Sequence, residues 1–323
     1  AIYGAQSGAG GVVLVTTKKA KEGAPSVSYD GTYGIRQAVN LIEPLNAEEE
    51  IEMRKLSYGN ANMDLPDGWD MTKNPWIATT RTNWMDEIFR TAFYQRHNLA
   101  INVGTENSSN RLSLSYDNDE GVLINTFNKN LSLRYNGKFK LNKWATVSQD
   151  FVWKNTQKRS SDTNSGYTGA VIAAMYMPPS ATVYNPLDGS YGGTTTEDPA
   201  YIEKYGSNFA DIHGDAVNPV RLLEADNIYD KTTSVWSTTN LEIANIIPGL
   251  KFNSRFTYNV ENNYYKQFSP IRDEVGKPDL SNSLTESSYR GDTWKTENTL
   301  TYDNSFGQHT VGAVSYTHLR AHE

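Results

Sequence analysis

Four glycines close to the start of the chain, Gly4, Gly8, Gly10 and Gly11, have the composition of a phosphate cradle. Such a cradle needs a strand, then the glycines, then a helix, with a Lys-Ser/Thr pair in the P-loop form. Here the glycines precede the apolar run 12–17 and no such lysine follows, so the order of elements argues against nucleotide binding. The 5 histidines (His97, His213, His309, His318 and His322) form no H-E-x-x-H, and His318 with His322 lacks the glutamate a zinc helix requires. Asp117, Asp119 and Glu120 ahead of Gly121 are part of a calcium-loop series. The series lacks a third Asp/Asn before the glycine and a Glu at its end, and a hairpin turn explains it better. Glu48, Glu49, Glu50 and Glu52 could be catalytic carboxylates, but they read first as the solvated face of a helix. Trp69, Trp76 and Trp84, with Tyr167, Tyr191, Tyr201 and Tyr205, could stack on sugars or peptides, or anchor loops and membrane interfaces. Both readings stay open. No Ser/His/Asp set and no carboxylate pair of the glycosidase kind stands out, so the chain reads as a non-enzyme without a cofactor or metal.

Composition narrows the classes. The chain has 323 residues, no cysteine, and a formal charge of −7 from 30 Lys+Arg against 37 Asp+Glu. The charge gives no footprint for nucleic acid. The missing cysteines exclude disulfide scaffolds and thiolate metal sites, and fit an oxidising envelope compartment. Only 37% of residues are hydrophobic, yet there are 20 Tyr, 10 Phe and 7 Trp. No run approaches the roughly 18 apolar residues of a spanning helix. A transmembrane β-barrel is still allowed, because its strands turn half their residues to a polar lumen. The start AIYGAQSGAGG has no Met and no signal-peptide pattern, and reads as the interior of a longer protein.

The elements that would position these residues follow period two. In 131–141, Leu131, Leu133, Tyr135, Gly137, Phe139 and Leu141 alternate with Ser132, Arg134, Asn136, Lys138 and Lys140. Similar alternation covers 99–103, 112–116, 145–153 and 250–260, with weaker copies at 27–35, 235–243, 294–302 and 310–314. Tight connections at 106–110, 142–143, 247–249 and 303–307 alternate with longer ones at 40–93, 117–125, 155–229 and 264–288. Strict sorting by length is the pattern of an outer-membrane barrel with short periplasmic turns and long extracellular loops; a soluble sandwich has no reason for it. The barrel reading requires Leu131, Leu133, Tyr135 and Phe139 on the convex face and Arg134, Lys138 and Lys140 on the concave one. Within the first long loop, 46–58 carries an Asn at a plausible N-cap followed by acidic residues, which predicts a helix.

Two segments resemble one family. Ile2, Tyr3 and Gly4, then Gly10 and Gly11 ahead of Val12, Val13, Leu14, Val15, Thr16, Thr17 and Lys18, resemble the last plug strand of TonB-dependent transporters in the SusC/RagA branch. The glycine loop is one residue longer than the usual form, with Gly10 where Asn is common. Trp84, Asp86, Glu87, Phe89, Arg90 and Thr91, followed by Gln95, His97, Asn98 and Leu99, resemble the W-x-D-E-I-F-R-T-A-x-x-Q-x-H-N-L segment of the same branch. The likeness extends to about Val314.

The resemblance implies an all-β fold: the end of a plug domain in 1–21, then the first nine or so antiparallel strands of a large, about 22-stranded transmembrane barrel in 22–314, incomplete here. The plug strand and the Trp84 segment would be structural motifs rather than ligand contacts. It also implies active import of oligosaccharide or peptide across the outer membrane, with a SusD-like lipoprotein as lid and TonB–ExbB–ExbD as the energy source. The runner-up is a surface glycan-binding or adhesive β-protein without transport. Residues 315–323 look like translated sequencing adapter, which would interrupt a strand beginning near His309.

Overall fold

The computed structural model describes residues 23–322 apart from 67–68, 73–76, 78, 164, 166–168, 186–188, 194–216 and 273–278. The segment read as the plug strand lies outside the described residues.

Period-two alternation becomes nine strands: β1 (Gly23–Arg36), β2 (Ala92–Gly104), β3 (Ser108–Glu120), β4 (Phe127–Lys140), β5 (Ala145–Arg159), β6 (Asn227–Ala244), β7 (Leu250–Ser269), β8 (Ser283–Phe306) and β9 (His309–His322). They form one antiparallel sheet in strict sequence order, with β1 and β9 as its edges. The lower connections are 105–107, 141–144, 245–249 and 307–308; the upper ones are 37–91, 121–126, 160–226 and 270–282. Every upper connection is longer than every lower one, as the sequence predicts. At the β6–β7 turn Gly249 takes φ 79°, and a Cβ there would collide with the Asp303 carbonyl, so the tight turn requires glycine.

Register places whole rows on one face. Val27, Ile101, Leu112, Tyr135 and Phe151 are paired in sequence across β1 to β5, and so are Tyr29, Leu99, Leu114, Leu133 and Trp153. This apolar face is open: Leu112 is 42% and Leu114 44% exposed. Between those rows lie Ser28, Ala100, Ser113 and Arg134, which point the other way. Polar residues of β1 to β4, Arg134 and Asn136 among them, line one shared hollow, which makes the polar face the concave one. A second hollow on the same face collects Asn240, Glu242, Arg255 and Glu297 from β6 to β8. From Leu131 to Phe139 the apolar row runs about 27 Å along the strand, which a barrel tilt reduces to roughly 20 Å, close to the apolar band of outer-membrane barrels.

Two differences from the sequence reading stand out. β6, β7 and β8 reach 18, 20 and 24 residues, well past the alternating stretches. The strand also does not break after Val314: β9 runs on, with Leu300 opposite Ser315 and Thr293 opposite His322, so residues 315–322 lie inside it. Their own alternation of Ser315, Thr317 and Leu319 with Tyr316, His318 and Arg320 continues the pairing.

Among the described residues, four helices stand in the upper connections: α1 (Ala47–Asn60), α2 (Trp84–Ile88), α3 (Ala170–Tyr176) and α4 (Pro219–Glu224). None is long and apolar enough to cross a membrane.

Candidate functional site

The helices assemble into a cap at the long-loop end of the sheet. α2 begins at Asn83, whose side chain accepts from Met85 N and Asp86 N. Its Trp84, Met85 and Ile88 pack with Leu123 from the β3–β4 connection, Ala170 and Ala174 of α3, and Val220 and Leu223 of α4. Trp84 is 1% exposed and donates Nε1–H to the Pro178 carbonyl at 2.8 Å, so this indole is an anchor. Trp69 is also buried, against Ile51 and Ile77 and under the Arg54 guanidinium. Trp76, Tyr167, Tyr201 and Tyr205 lie outside the described residues.

Of the remaining residues of the Trp84 segment, Phe89, Arg90 and Thr91 tie this core to the wall, while Asp86 and Glu87 stay at the helix cap. Asp86 accepts from Asn83 Nδ2 at 2.7 Å, and Glu87 is exposed beside it. Phe89 pairs with Leu123. Arg90 donates Nε to the Gly121 carbonyl and a terminal nitrogen to the Thr126 carbonyl, both at 3.2 Å, and stands 3.8 Å from Glu120. Thr91 accepts from Gln37 Nε2 at 2.7 Å. Tyr3, Gly4, Gly10, Gly11, Thr16 and Thr17 lie outside the described residues.

The acid groups that resembled a calcium series each face an arginine: Asp117 with Arg96, Asp119 with Arg36, Glu120 with Arg90. A hairpin results, and among the described residues no cluster of three or more potential metal ligands occurs. The glutamates of α1 divide. Glu48 pairs with Arg81 at 2.8 Å, and Glu49 closes a capping box with Asn46. Glu50 departs from a solvated face. It is 4% exposed, accepts from Ser180 Oγ at 3.0 Å and sits 3.8 Å from Arg54. Burial pushes its carboxyl above the ordinary value, against the opposing pull of Ser180 and Arg54.

Three further features were missed from sequence. Asn218 is fully buried and satisfied on both sides of its amide. Its oxygen caps α4 and its nitrogen donates to the Val183 and Gly192 carbonyls. The Asn218-Pro219 pair was a legible helix-start signal. Arg272 joins Asp226 at 2.7 Å and also Asp279, which Arg221 approaches at 3.9 Å, so Arg272 and Asp279 are pinned to α4 and to the approach to β6 at the rim. Near them Tyr184, half exposed, donates to Glu224 at 3.3 Å, and its ring lies 5.6 Å from that of Tyr191, tilted by 33°; Tyr191 was singled out from sequence, Tyr184 was not. Burial, then the Glu224 charge, raises both phenols.

The sequence and the fold both have relatives among known proteins. The chain is 26% identical over 98% of its length to "TonB-dependent receptor P3" of Formosa agariphila. It is 29% identical over 75% of its length to "TonB-dependent receptor SusC" of Bacteroides thetaiotaomicron. These likenesses support a SusC/RagA-like TonB-dependent receptor. This SusC/RagA-like chain spans 29% and 23% of those two relatives. Its fold matches that of the RagAB peptide importer in the "open-open" state, with TM-score 0.73, 19% identity, and coverage of 98% of this chain and 36% of that one. The "closed-closed" state gives TM-score 0.70 at 16% identity over 95% of this chain and 40% of that one. No family model matches. TonB-dependent receptors are outer-membrane barrels, and the SusC/RagA-like wall accordingly belongs to the outer membrane.

Proposed function

We propose that the complete protein imports bulky nutrients, oligosaccharides in the first place, across the outer membrane. The observation that carries the reading is the two-faced wall: an exposed apolar band outside and a polar, hollowed face inside, crowned by the loop cap. A lipid-facing exterior around a polar passage is what a solute pathway needs. The cap and the ion-pinned rim at Arg272 would form the mouth where ligand first binds, under a SusD-like lipoprotein lid. TonB–ExbB–ExbD would then remodel a plug whose last strand is 1–21, with Tyr3, Gly4, Gly10, Gly11, Thr16 and Thr17 in its turn and strand. Asp86, Glu87, Phe89, Arg90 and Thr91 act structurally, through the Trp84 anchor. No bond is made or broken.

The test is uptake of fluorescent oligosaccharides by cells carrying the complete receptor, with and without TonB. TonB-dependent accumulation is expected. Surface binding without accumulation would replace import with the glycan-binding, adhesive reading.

A further inference from the structure

The concave face is not electrically uniform. Around its upper rim bases meet acids: Arg36 with Asp119, Arg96 with Asp117 at 3.7 Å, Lys158 with Asp230 at 3.5 Å. Lower down, level with the lipid-facing leucines, that balance is lost. Arg111 of β3, Arg134, Lys138 and Lys140 of β4, and Lys154 of β5 share the inner face by register. Among the described residues none of the five is recorded in an ion pair. On the same stretch of β3 to β5 the inner face carries one carboxylate, Asp150, which accepts from Asn136. Glu242, the next acid along on β6, is taken by Lys251 at 2.7 Å.

This runs against a chain whose formal charge is −7. Arg111 lies opposite Asn136 and Arg134 opposite Ser113, so the two guanidinium groups are diagonal neighbours on one face. Like charges so placed repel. Ser113, Ser115 and Ser132 are small, and the hollow between them is lined by Arg111, Arg134 and Asn136 together with Arg96 and the carboxylates of Asp30 and Asp117. Arg111 also donates to Asn102 at 2.6 Å, and the bases outnumber the acids by three to two. Two guanidinium forks beside hydroxyls form a receptor for planar or tetrahedral oxyanions. A passage lined by one sign of charge concentrates the opposite sign.

We propose that this stretch is an anion-selecting wall, and that the cargo carries carboxylate or sulfate groups. The inference rests on the import reading and adds the cargo's charge to it. Arg111 and Arg134 would take the oxyanion, the serine hydroxyls would meet neutral parts of the ligand, and Lys138, Lys140 and Lys154 would extend the attractive field.

The test measures uptake through the complete receptor of size-matched galacturonate and galactose oligomers, with aspartate-rich and asparagine-rich peptides as a second pair. The acidic member of one pair should enter about tenfold faster than its neutral match. The double variant R134Q/K138Q should erase the preference, R134K/K138R should retain it, and K129Q, on the opposite face of the same strand, should leave it unchanged. Heat-modifiable mobility of each variant checks that its barrel has folded. Equal entry of neutral and acidic probes would overturn the inference and leave import standing. So would an equal loss of both in R134Q/K138Q, since the cations would then hold an acid of the protein itself. Entry of neither pair through a folded receptor would contradict the import reading and take this inference with it.

Discussion

The strand wall and the loop cap obey opposite rules of burial. In the wall, large apolar side chains are the exposed ones, and the strands' buried apolar residues are the small Ala92, Ala100 and Ala145. In the cap, Trp84, Ile77, Ile88 and Leu223 are less than 2% exposed. The cap is therefore a water-soluble core in miniature, held by the hydrophobic effect. The wall is held by its ladder of backbone hydrogen bonds and by lipid. A polar change inside the cap and an apolar one inside the lumen are errors of the same kind, each breaking the rule of its own region.

That contrast orders the expected damage. Trp84→Ala should be the most costly, about 3–5 kcal/mol, because it empties the centre of the cap and orphans the Pro178 carbonyl. Hydrogen exchange should show 170–177 and 219–224 opening while the strands stay protected; loss of protection in β4 would mean the two regions are one cooperative unit. Next comes Leu133→Arg, which puts a charge on the lipid face at about 2–4 kcal/mol. Reversible refolding into bilayers measures it, and Arg134→Leu one residue away should cost far less. Arg90→Lys should cost about 1–2 kcal/mol, since a lysine cannot reach the Gly121 and Thr126 carbonyls together; faster proteolysis at 121–126 is the readout.

The smallest effect is one of pH. Glu50 has its folded value raised above 4.5 by burial, so its contribution is full below that pH and fades as pH rises through the raised value. Glu50→Gln should therefore flatten the loss of cap stability above about pH 4.5, seen as protection factors in α1 that no longer change with pH once the intrinsic exchange rate is divided out.

The sequence was informative where lipid imposes a rule and mute elsewhere. In 131–141 every second residue had to suit hydrocarbon, so strand and facing were both legible. Above the lipid band nothing enforces alternation, and Ser283 to Asp292 of β8 went unread for that reason. α1 announced itself through Asn46 and Glu49. α3, Ala-Val-Ile-Ala-Ala-Met-Tyr, is apolar throughout and offers no periodic face to detect. Trp84 could be a platform or an anchor on sequence alone, because the choice depends on Pro178, ninety-odd residues away in the chain. The basic inner stripe was visible as Arg134, Lys138 and Lys140, but its lack of acid partners needed the register of three strands.

The most direct measurement is a nitroxide scan of residues 131–140 in the complete receptor in lipid bilayers, and these 323 residues contribute no cysteine to compete for the label. Labels at 131, 133, 135 and 139 should collide with dissolved oxygen, and those at 132, 134, 138 and 140 with a water-soluble nickel chelate. An inverted phase, or no period of two, would contradict a wall that turns its leucines to lipid and its arginines to the passage.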